Sequence, residues 1–298
     1  MNADIPTAHR LFFSGEAFDP QQLERLEKAF FSNIILRNGT FKTPNHHRLD
    51  NLNELVRPHL PNERPLRLMD VAVSSGVSTA EWIAFLDRFG ITHQMTAGDL
   101  VIDAYLVAIV PGLRLLVDQN GHALQFDIRG KAIRTPVSKR HFLRYLAPIL
   151  LAKALAPAIT RTLRELRKLP IEKRILSRAG INYRPLKLMS TSLTAIPHVE
   201  VVEDDILISK RYAACFHAVR AANILNRVYF DDTTLTTMLL NLRCRLISGG
   251  LLIVCRTNEE GLNNATVFKL GRDGIFAVVA RLNDGSEIES LALALPAP

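Results

Sequence analysis

The stretch PLRLMDVAVSSGVSTAEWIAFL, residues 65–86, decides the fold. In it, a short apolar run is followed by small residues and then by apolar residues at helical spacing. This pattern predicts a buried strand over 66–72, a tight loop over 73–78 and a helix over 79–89. A second apolar run then ends at Asp99. Strand, loop, helix and strand in this order are typical of an α/β protein with a parallel sheet.

The same alternation of strands and helices returns near the C-terminus. Apolar runs predict strands at VEVVEDDIL, ACFHAVRAANIL and LLIVCRT, and the amphipathic stretch DDTTLTTMLLNLRCRLI predicts a helix. Ser248-Gly249-Gly250 predicts a turn before the last of these strands. Two further strands, ATVFKL and GIFAVVARL, are expected around a turn at Arg272-Asp273-Gly274. The sheet is therefore expected to resume after the insert and to gain two further strands near the C-terminus.

The middle of the chain departs from this pattern. LRLLVDQNGHALQFDI predicts a β-hairpin with Asn120-Gly121 as its turn. The stretch 138–168 is helical in composition, and Pro148 and Pro157 predict that it is broken into short helices. The prolines and the charges within it make this stretch a poor transmembrane span.

These patterns predict three parts in the chain. We expect a helical N-terminal lead-in over 1–64. We then expect an α/β domain over 65–298, interrupted by a large basic insert over 104–197 that contains the hairpin and the helices.

Positive charge is concentrated in this insert. The chain has a net charge of +8, yet residues 131–190 hold 15 Lys and Arg against 2 acidic residues, so the remainder is mildly acidic. Such a block is typical of a contact with a membrane surface, nucleic acid or an acidic substrate, or else of a solvated helix face. The apolar core and basic flanks of 138–168 suit an anionic membrane surface, with nucleic acid as the less favoured partner. The alternative, which the two prolines favour, is that the apolar face packs on the protein's own core or closes over the substrate as a lid.

The overall composition excludes several classes of protein. Hydrophobic residues make up 48% of the chain and charged residues 22%, which excludes a disordered, collagen-like or coiled-coil chain. The 3 cysteines include no CxxC pair, so neither a disulfide framework nor a zinc site is expected. His46-His47 lacks further ligands at metal-binding spacing, and no metal is predicted. The N-terminal residues contain no apolar signal segment. A cytoplasmic location is therefore expected, which includes the periphery of the membrane.

Ligands of α/β sheets bind at the carboxyl ends of parallel strands. A loop of small residues after the first strand and an acid at the end of the second would suit a nicotinamide dinucleotide or S-adenosylmethionine. A dinucleotide requires a glycine-rich loop for its pyrophosphate. This loop has only Gly76, with Ala72 and Ser74 at the other small positions. S-adenosylmethionine has no phosphate and tolerates such a loop.

The ordered motifs resemble those of the class I S-adenosylmethionine-dependent methyltransferases. RLMDVAVSSGVST resembles the first motif of that family, Asp99 matches its ribose-binding acid, and VEDDIL resembles the strand end that flanks the adenine. The stretch 216–256 is closest to the chemotaxis-receptor methyltransferase type, in which Asn223 would lie beside the transferring methyl. The cofactor-binding residues that this resemblance implies are Asp70, Ala72, Ser74, Ser75, Gly76, Asp99, Asp205, Ile206 and Asn223.

The resemblance implies a Rossmann-like doubly wound sheet and S-adenosylmethionine as cofactor. It implies a methyltransferase, and the basic insert, which would cap the cleft, indicates an acidic or membrane-associated substrate. A side chain at Gly76 is expected to meet the cofactor. No catalytic base is identified, although His217, Tyr229 and Asp231 could assist. The alternative is a degenerate methyltransferase-fold binding module whose basic insert contacts a membrane or nucleic acid. Ala72 and Ser74, which replace motif glycines, favour this alternative.

Overall fold

The computed structural model describes residues 5–36, 42, 46–135, 143, 145–170, 173–208 and 211–297. They form two compact units. Unit 1 comprises residues 1–44 and 101–189, and unit 2 comprises 45–100 and 190–298. Residues 1–44 thus belong with 101–189, while the boundaries drawn from the sequence, 1–64 and 104–197, stay predictions. Residues 138–142 and Arg144 of the predicted basic stretch lie outside the described residues.

The strands and helices are numbered in chain order. The strands are β1 (Leu66–Val71), β2 (His93–Asp99), β3 (Asp103–Val110), β4 (Leu113–Asp118), β5 (Ala123–Ile128), β6 (Lys131–Arg134), β7 (Leu176–Arg178), β8 (Ile181–Lys187), β9 (Val199–Glu203), β10 (Phe216–Ala222), β11 (Leu246–Thr257), β12 (Asn263–Leu270) and β13 (Phe276–Leu282). The helices are α1 (Ala8–Phe13), α2 (Pro20–Asn33), α3 (Asp50–Val56, extended by a 3-10 turn, Arg57–His59), α4 (Val77–Arg88), α5 (Leu146–Leu166), α6 (Thr191–Thr194), α7 (Asp232–Arg245) and α8 (Glu289–Leu293).

Unit 2 contains a seven-stranded sheet in the order β13-β12-β11-β10-β1-β2-β9. The five adjacent strands β11, β10, β1, β2 and β9 are parallel, whereas β12 and β13 extend the sheet beyond β11 in antiparallel orientation. Helix α7 packs on one face through Leu235, Met238 and Leu242, and α4 contacts the other face through Thr79 and Trp82. This is a doubly wound arrangement, and it confirms the predicted α/β fold.

Several local predictions for unit 2 agree with the structure, and one does not. Helix α7 begins after Asp231, whose carboxylate accepts from the backbone of Thr234, as expected for an N-terminal cap. The turn predicted at Ser248-Gly249-Gly250 is wrong, because these residues lie inside β11. A register shift against β10 accommodates them, and Gly249 has a φ of 81°. The glycines therefore permit an irregularity within the strand.

Unit 1 is built on a six-stranded antiparallel sheet in the order β6-β5-β4-β3-β8-β7. The predicted hairpin is present as β4 and β5, with Gly121 at its turn. Four further strands extend it. Alternate residues of β3 point to opposite faces: Ala104 and Leu106 pack in one apolar cluster with α1 and α2, whereas Tyr105 and Val107 pack in another with α5. The sheet therefore lies between two helical layers.

Helix α5 runs unbroken over 21 residues, so the predicted break into short helices is wrong. Pro148 lies in the first turn, where a backbone N–H has no partner within the helix. Pro157 lies inside the helix, where Ile159 and Leu163 on the next turn are fully buried against the sheet. Among the described residues, this helix alone is long and apolar enough to cross a membrane by length and composition. One of its faces nevertheless packs in the core of unit 1.

Candidate functional site

The carboxyl ends of the parallel strands of unit 2 meet at one edge of the sheet. The backbone N–H of Asp204, just after β9, donates to the carbonyl of Asp99 at 2.9 Å. The N–H of Val73, just after β1, donates to the carbonyl of Gly98 at 3.1 Å. Between β1 and β10 the strand order reverses, and ligands of doubly wound sheets bind at such a point. The candidate site therefore lies around the loop that follows β1.

This loop has an unusual backbone. Ala72, Ser74 and Gly76 have φ angles of 55°, 61° and 83°, so every second residue is left-handed. Such angles cost a residue with a side chain about 1–2 kcal/mol and are often found at functional sites. The loop is fixed because Gly76 N–H donates to the Val73 carbonyl at 2.8 Å. The sequence lacks two glycines at these positions, yet the backbone has the shape that glycines favour.

Asp99 is brought against this loop, as its position in the sequence predicts. Its carboxylate oxygen Oδ2 accepts from the backbone N–H of Ser74 at 2.7 Å. An ionised carboxylate has about four lone-pair positions and accepts several hydrogen bonds at once. Asp99 can thus hold the loop and also accept from ligand hydroxyls at the end of β2.

Asp70 has a different environment. Arg220 donates to it from Nε at 3.1 Å and from Nη2 at 2.5 Å, and the hydroxyl of Thr79 donates at 2.7 Å. The Arg220 guanidinium also lies over the ring of Trp82, 4.3 Å from its centroid. Both charges are buried, so Asp70 compensates a buried cation that joins β1 and β10. Arg220 was not predicted, although a lone charge inside the apolar run HAVRAA was a signal.

The two acidic residues that follow β9, Asp204 and Asp205, have different roles. Asp204 forms a buried ion pair with Arg245, at 2.5 and 3.2 Å. Asp205 remains at the edge, where its carboxylate accepts from the backbone of Leu207 at 2.9 Å. Ile206 is buried in the apolar core of unit 2. Asp204 itself makes the backbone bond to Asp99 that joins β9 to β2, and Asp205 is the next residue in the chain.

Asn223 follows β10 with a φ of 61°. Its side-chain oxygen accepts from the backbone N–H of Thr257 at 2.7 Å, and its amide donates to the Thr257 hydroxyl at 3.3 Å. The amide therefore ties the end of β10 to the end of β11. Nearby, burial raises the pKa of the Cys255 thiol to about 11, so this thiol stays protonated at neutral pH and is a poor nucleophile.

The three side chains considered as helpers lie in unrelated positions. His217 is near the amino end of β10, where it accepts from the backbone of Arg67 at 2.9 Å and lies 3.1 Å from Glu63. Tyr229 is exposed, and Asp231 caps α7. His217 thus lies at the edge opposite the candidate site.

The environment of Gly76 differs from the expectation. A Cβ atom built at Gly76 would lie 2.3 Å from Cδ2 of Leu193, which is fully buried in α6. The backbone N–H of Ser190, which caps α6, donates to the carbonyl of Ser75 at 2.7 Å. A side chain at Gly76 would therefore meet α6 rather than a cofactor. Gly76 permits close packing of this helix on the loop.

A groove of about 450 Å³ opens beside Thr257. Glu259, Asp284 and Glu287 line it, and its cation, Arg256, is paired with Glu287. Because Thr257 also contacts Asn223, this groove adjoins the end of β10. Its excess of carboxylates disfavours an anionic ligand there.

Replacing Ala72 by glycine is expected to stabilise the protein by roughly 0.5–1 kcal/mol, because glycine adopts a left-handed φ without the steric cost that alanine bears. The free energy of unfolding in urea measures the effect. Ala80→Gly, within α4, is the control, and it should destabilise by about 1 kcal/mol. Equal destabilisation by both substitutions would show that Ala72 is not strained.

Comparison with solved structures gives matches of low identity. One is the CMeT domain of the citrinin polyketide synthase, 14% identical over 72% of this chain, with a TM-score of 0.35. Another is the N-methyltransferase NodS from Bradyrhizobium japonicum WM9 in complex with S-adenosyl-L-homocysteine, 12% identical over 72% of this chain, with a TM-score of 0.33. A third is phosphoethanolamine N-methyltransferase 1 of Haemonchus contortus, 11% identical over 72% of this chain, with a TM-score of 0.32.

The matched part is also a limited share of those proteins. The chain covers 36% of the first, 65% of the second and 26% of the third. No protein-family model and no curated protein matches the chain. None of the three structures is named as a chemotaxis-receptor methyltransferase, and the finer resemblance to that type is not supported.

Proposed function

We propose that unit 2 binds S-adenosylmethionine and is an S-adenosylmethionine-dependent methyltransferase. The observation that carries the proposal is the loop over 72–76, whose alternating left-handed residues are held against Asp99 at the point where the strand order reverses. A loop of this shape lets the backbone approach a ligand closely, and an acid at the end of β2 suits ribose hydroxyls.

The described residues fit this cofactor at the loop and at Asp99. S-adenosylmethionine supplies an already activated methyl group. Asp99 accepts from the ribose hydroxyls while its bond to Ser74 keeps the loop in place. Asp205 lies at the edge where the adenine is expected, and Asn223 fixes the adjoining ends of β10 and β11 through Thr257. Orientation of donor and acceptor is then the main contribution of the protein to the reaction.

Asp70 and Ile206 have structural parts in this proposal. Asp70 neutralises Arg220, and Ile206 packs in the core. We leave the methyl acceptor unassigned, since the carboxylates beside Thr257 disfavour the acidic substrate expected from the basic insert.

The second candidate is a binding module that has lost catalysis. Ala72 and Ser74 in place of glycines favour it, as does the position of His217 at the opposite edge. In this case the fold would bind the cofactor weakly or not at all, and unit 1 would carry the main function. Affinity for the cofactor separates the two candidates.

Calorimetry with S-adenosylmethionine, S-adenosylhomocysteine and NAD tests the proposal. We expect dissociation constants in the micromolar range, the common scale for metabolites, for S-adenosylmethionine and S-adenosylhomocysteine. We expect no binding of NAD. Asp99→Ala should weaken binding by about 1.5–3 kcal/mol, because charge-assisted bonds to the ribose are lost.

The control is Asp87→Ala, which removes an exposed acid from the last turn of α4 and should leave the affinity unchanged. Equal affinity of Asp99→Ala and the parent would contradict the assigned site. Tighter binding of NAD would replace the proposal by an oxidoreductase, and no binding of any of the three would favour the non-catalytic module.

A further inference from the structure

Unit 1 exposes five large apolar side chains at the turn between β3 and β4 and around the first half of α5. Val110 is 47% exposed, Leu143 79%, Leu146 37%, Leu150 51% and Leu151 39%; we call these five residues the apolar tip. Leu146 and Leu150 are one turn apart on α5, and Leu151 follows directly. Single exposed apolar residues are normal on protein surfaces, but a cluster marks an interaction site.

A cavity joins the helical and sheet parts of the tip. It has a volume of about 640 Å³ and lies between the N-terminal half of α5 and two turns of the sheet. Val110 and Leu151 both line it, so the cavity is shared by a member of the tip on the sheet and one on α5. Arg129 and Lys131 line it as well, and none of its described lining residues is acidic. The apolar surface is thus bordered by positive charge.

The solvent-facing side of α5 changes character along its length. Leu146 and Leu150 are exposed in its first half, and Arg161, Arg164 and Lys168 are exposed on the same side in and just after its second half. The opposite side packs on the sheet. Leu150 and Arg161 are separated by about 16 Å along the axis at 1.5 Å per residue. Lys153 is exposed between the two groups, and Glu165 forms an ion pair with Arg161 at 3.7 Å. The helix therefore presents an apolar end and, farther along, a surface with an excess of positive charge.

We propose that the apolar tip docks on the surface of an anionic lipid bilayer. Apolar side chains of such surfaces enter the boundary between headgroups and acyl chains by about 5–10 Å. Arg129 and Lys131 then lie at the level of the anionic headgroups, and the basic side of α5 adds longer-range attraction. A second copy of the chain is a poorer partner, because a symmetric contact would bring the same cations together.

This proposal concerns unit 1 and is independent of the function proposed for unit 2. Flotation of the full chain with vesicles tests it, without any cofactor. The vesicles contain phosphatidylcholine alone or phosphatidylcholine with phosphatidylglycerol. We expect the protein to float with the anionic vesicles at low salt, much less at high salt, and little with the neutral vesicles.

Two double variants separate the contributions of apolar side chains and of positive charges to vesicle binding. Leu143→Gln with Leu150→Gln should lower the affinity for anionic vesicles at least about tenfold, because two exposed apolar side chains are removed. Arg129→Gln with Lys131→Gln should lower it about fivefold for each charge and reduce its dependence on salt. Val228→Gln is the matched control, since Val228 is 72% exposed but belongs to unit 2, and it should have no effect. Thermal unfolding should be the same for all variants.

Three results would overturn the proposal. Unchanged flotation of the leucine variant would exclude the apolar tip as the contact. Equal flotation with neutral and anionic vesicles would exclude recognition of charge. Absence of flotation with anionic vesicles at low salt would exclude docking on a bilayer, and a dimer that the leucine variant abolishes would then show that a second copy covers the tip.

Discussion

Replacing Arg220 by methionine is expected to destabilise unit 2 by about 3–5 kcal/mol, because one partner of a buried ion pair is removed. Asp70 would keep a buried carboxylate with the Thr79 hydroxyl as a remaining donor. Asn53 and the carbonyl of Ser78 would also lose the guanidinium that now donates to them. The same substitution removes the cation over the Trp82 ring. These losses fall between the centre of the sheet and the helices α3 and α4.

Thermal unfolding of the full chain should show this loss as a fall of roughly 6–20 °C in the transition of unit 2. The double variant Arg220→Met with Asp70→Leu should recover much of it, since an apolar pair can replace a buried ion pair. Arg227→Met, which removes an exposed pair with Asp232, should move the transition by only a degree or two. A small effect of Arg220→Met alone would mean that the buried pair is not essential to the fold.

Replacing Gly76 by valine should destabilise unit 2 by about 2–5 kcal/mol. The left-handed φ is disfavoured for a β-branched residue, and the new Cβ would lie 2.3 Å from Leu193 Cδ2. Overpacking of this kind costs about 1–3 kcal/mol. The variant is therefore expected to lose cofactor binding through damage to the loop and α6, and the urea midpoint of unfolding measures the damage directly.

Gly90 provides the control for this substitution. It also has a positive φ, 64°, but a Cβ there would meet no atom within 4 Å. Gly90→Val should therefore show only the backbone cost, about 1–2 kcal/mol. The double variant Gly76→Val with Leu193→Ala should be less destabilised than the sum of the two single effects, because the two side chains compete for one space. Equal effects of Gly76→Val and Gly90→Val would exclude the steric clash.

The parallel sheet could be predicted because its strands are short apolar runs that end at small or acidic residues. The stretch from Leu66 to Asp99 has this pattern, and so do the strands near the C-terminus. Most of the sheet of unit 1 could not be predicted in this way. Strand β3 is buried on both faces, so its sequence lacks the polar alternation that identifies a half-covered strand.

At the site, the sequence predicted which residues follow each strand, but not what they contact. Asp70, Asp99 and Asp204 look alike as acids at or near strand ends. Only the fold shows that Asp70 and Asp204 neutralise arginines, which lie 150 and 41 residues away in the chain. Local pattern cannot identify such distant partners. The left-handed angles of Ala72 and Ser74 were equally hidden, because neither residue type favours them.

The chain passes from unit 2 into unit 1 after Leu100 and returns to unit 2 at Ser190. The two ends of the intervening segment are close together. Leu188 donates to the carbonyl of Ile102 at 2.8 Å, and β3 and β8 pair directly from there. The entry and exit of the long insertion are therefore one hydrogen bond apart. The segment between the neighbouring strands β2 and β9 can therefore change in length without changing their register, whereas its complete removal would expose the apolar faces of α1 and α2 that pack on it. The α/β sheet can thus stay the same while the segment inserted between β2 and β9 varies.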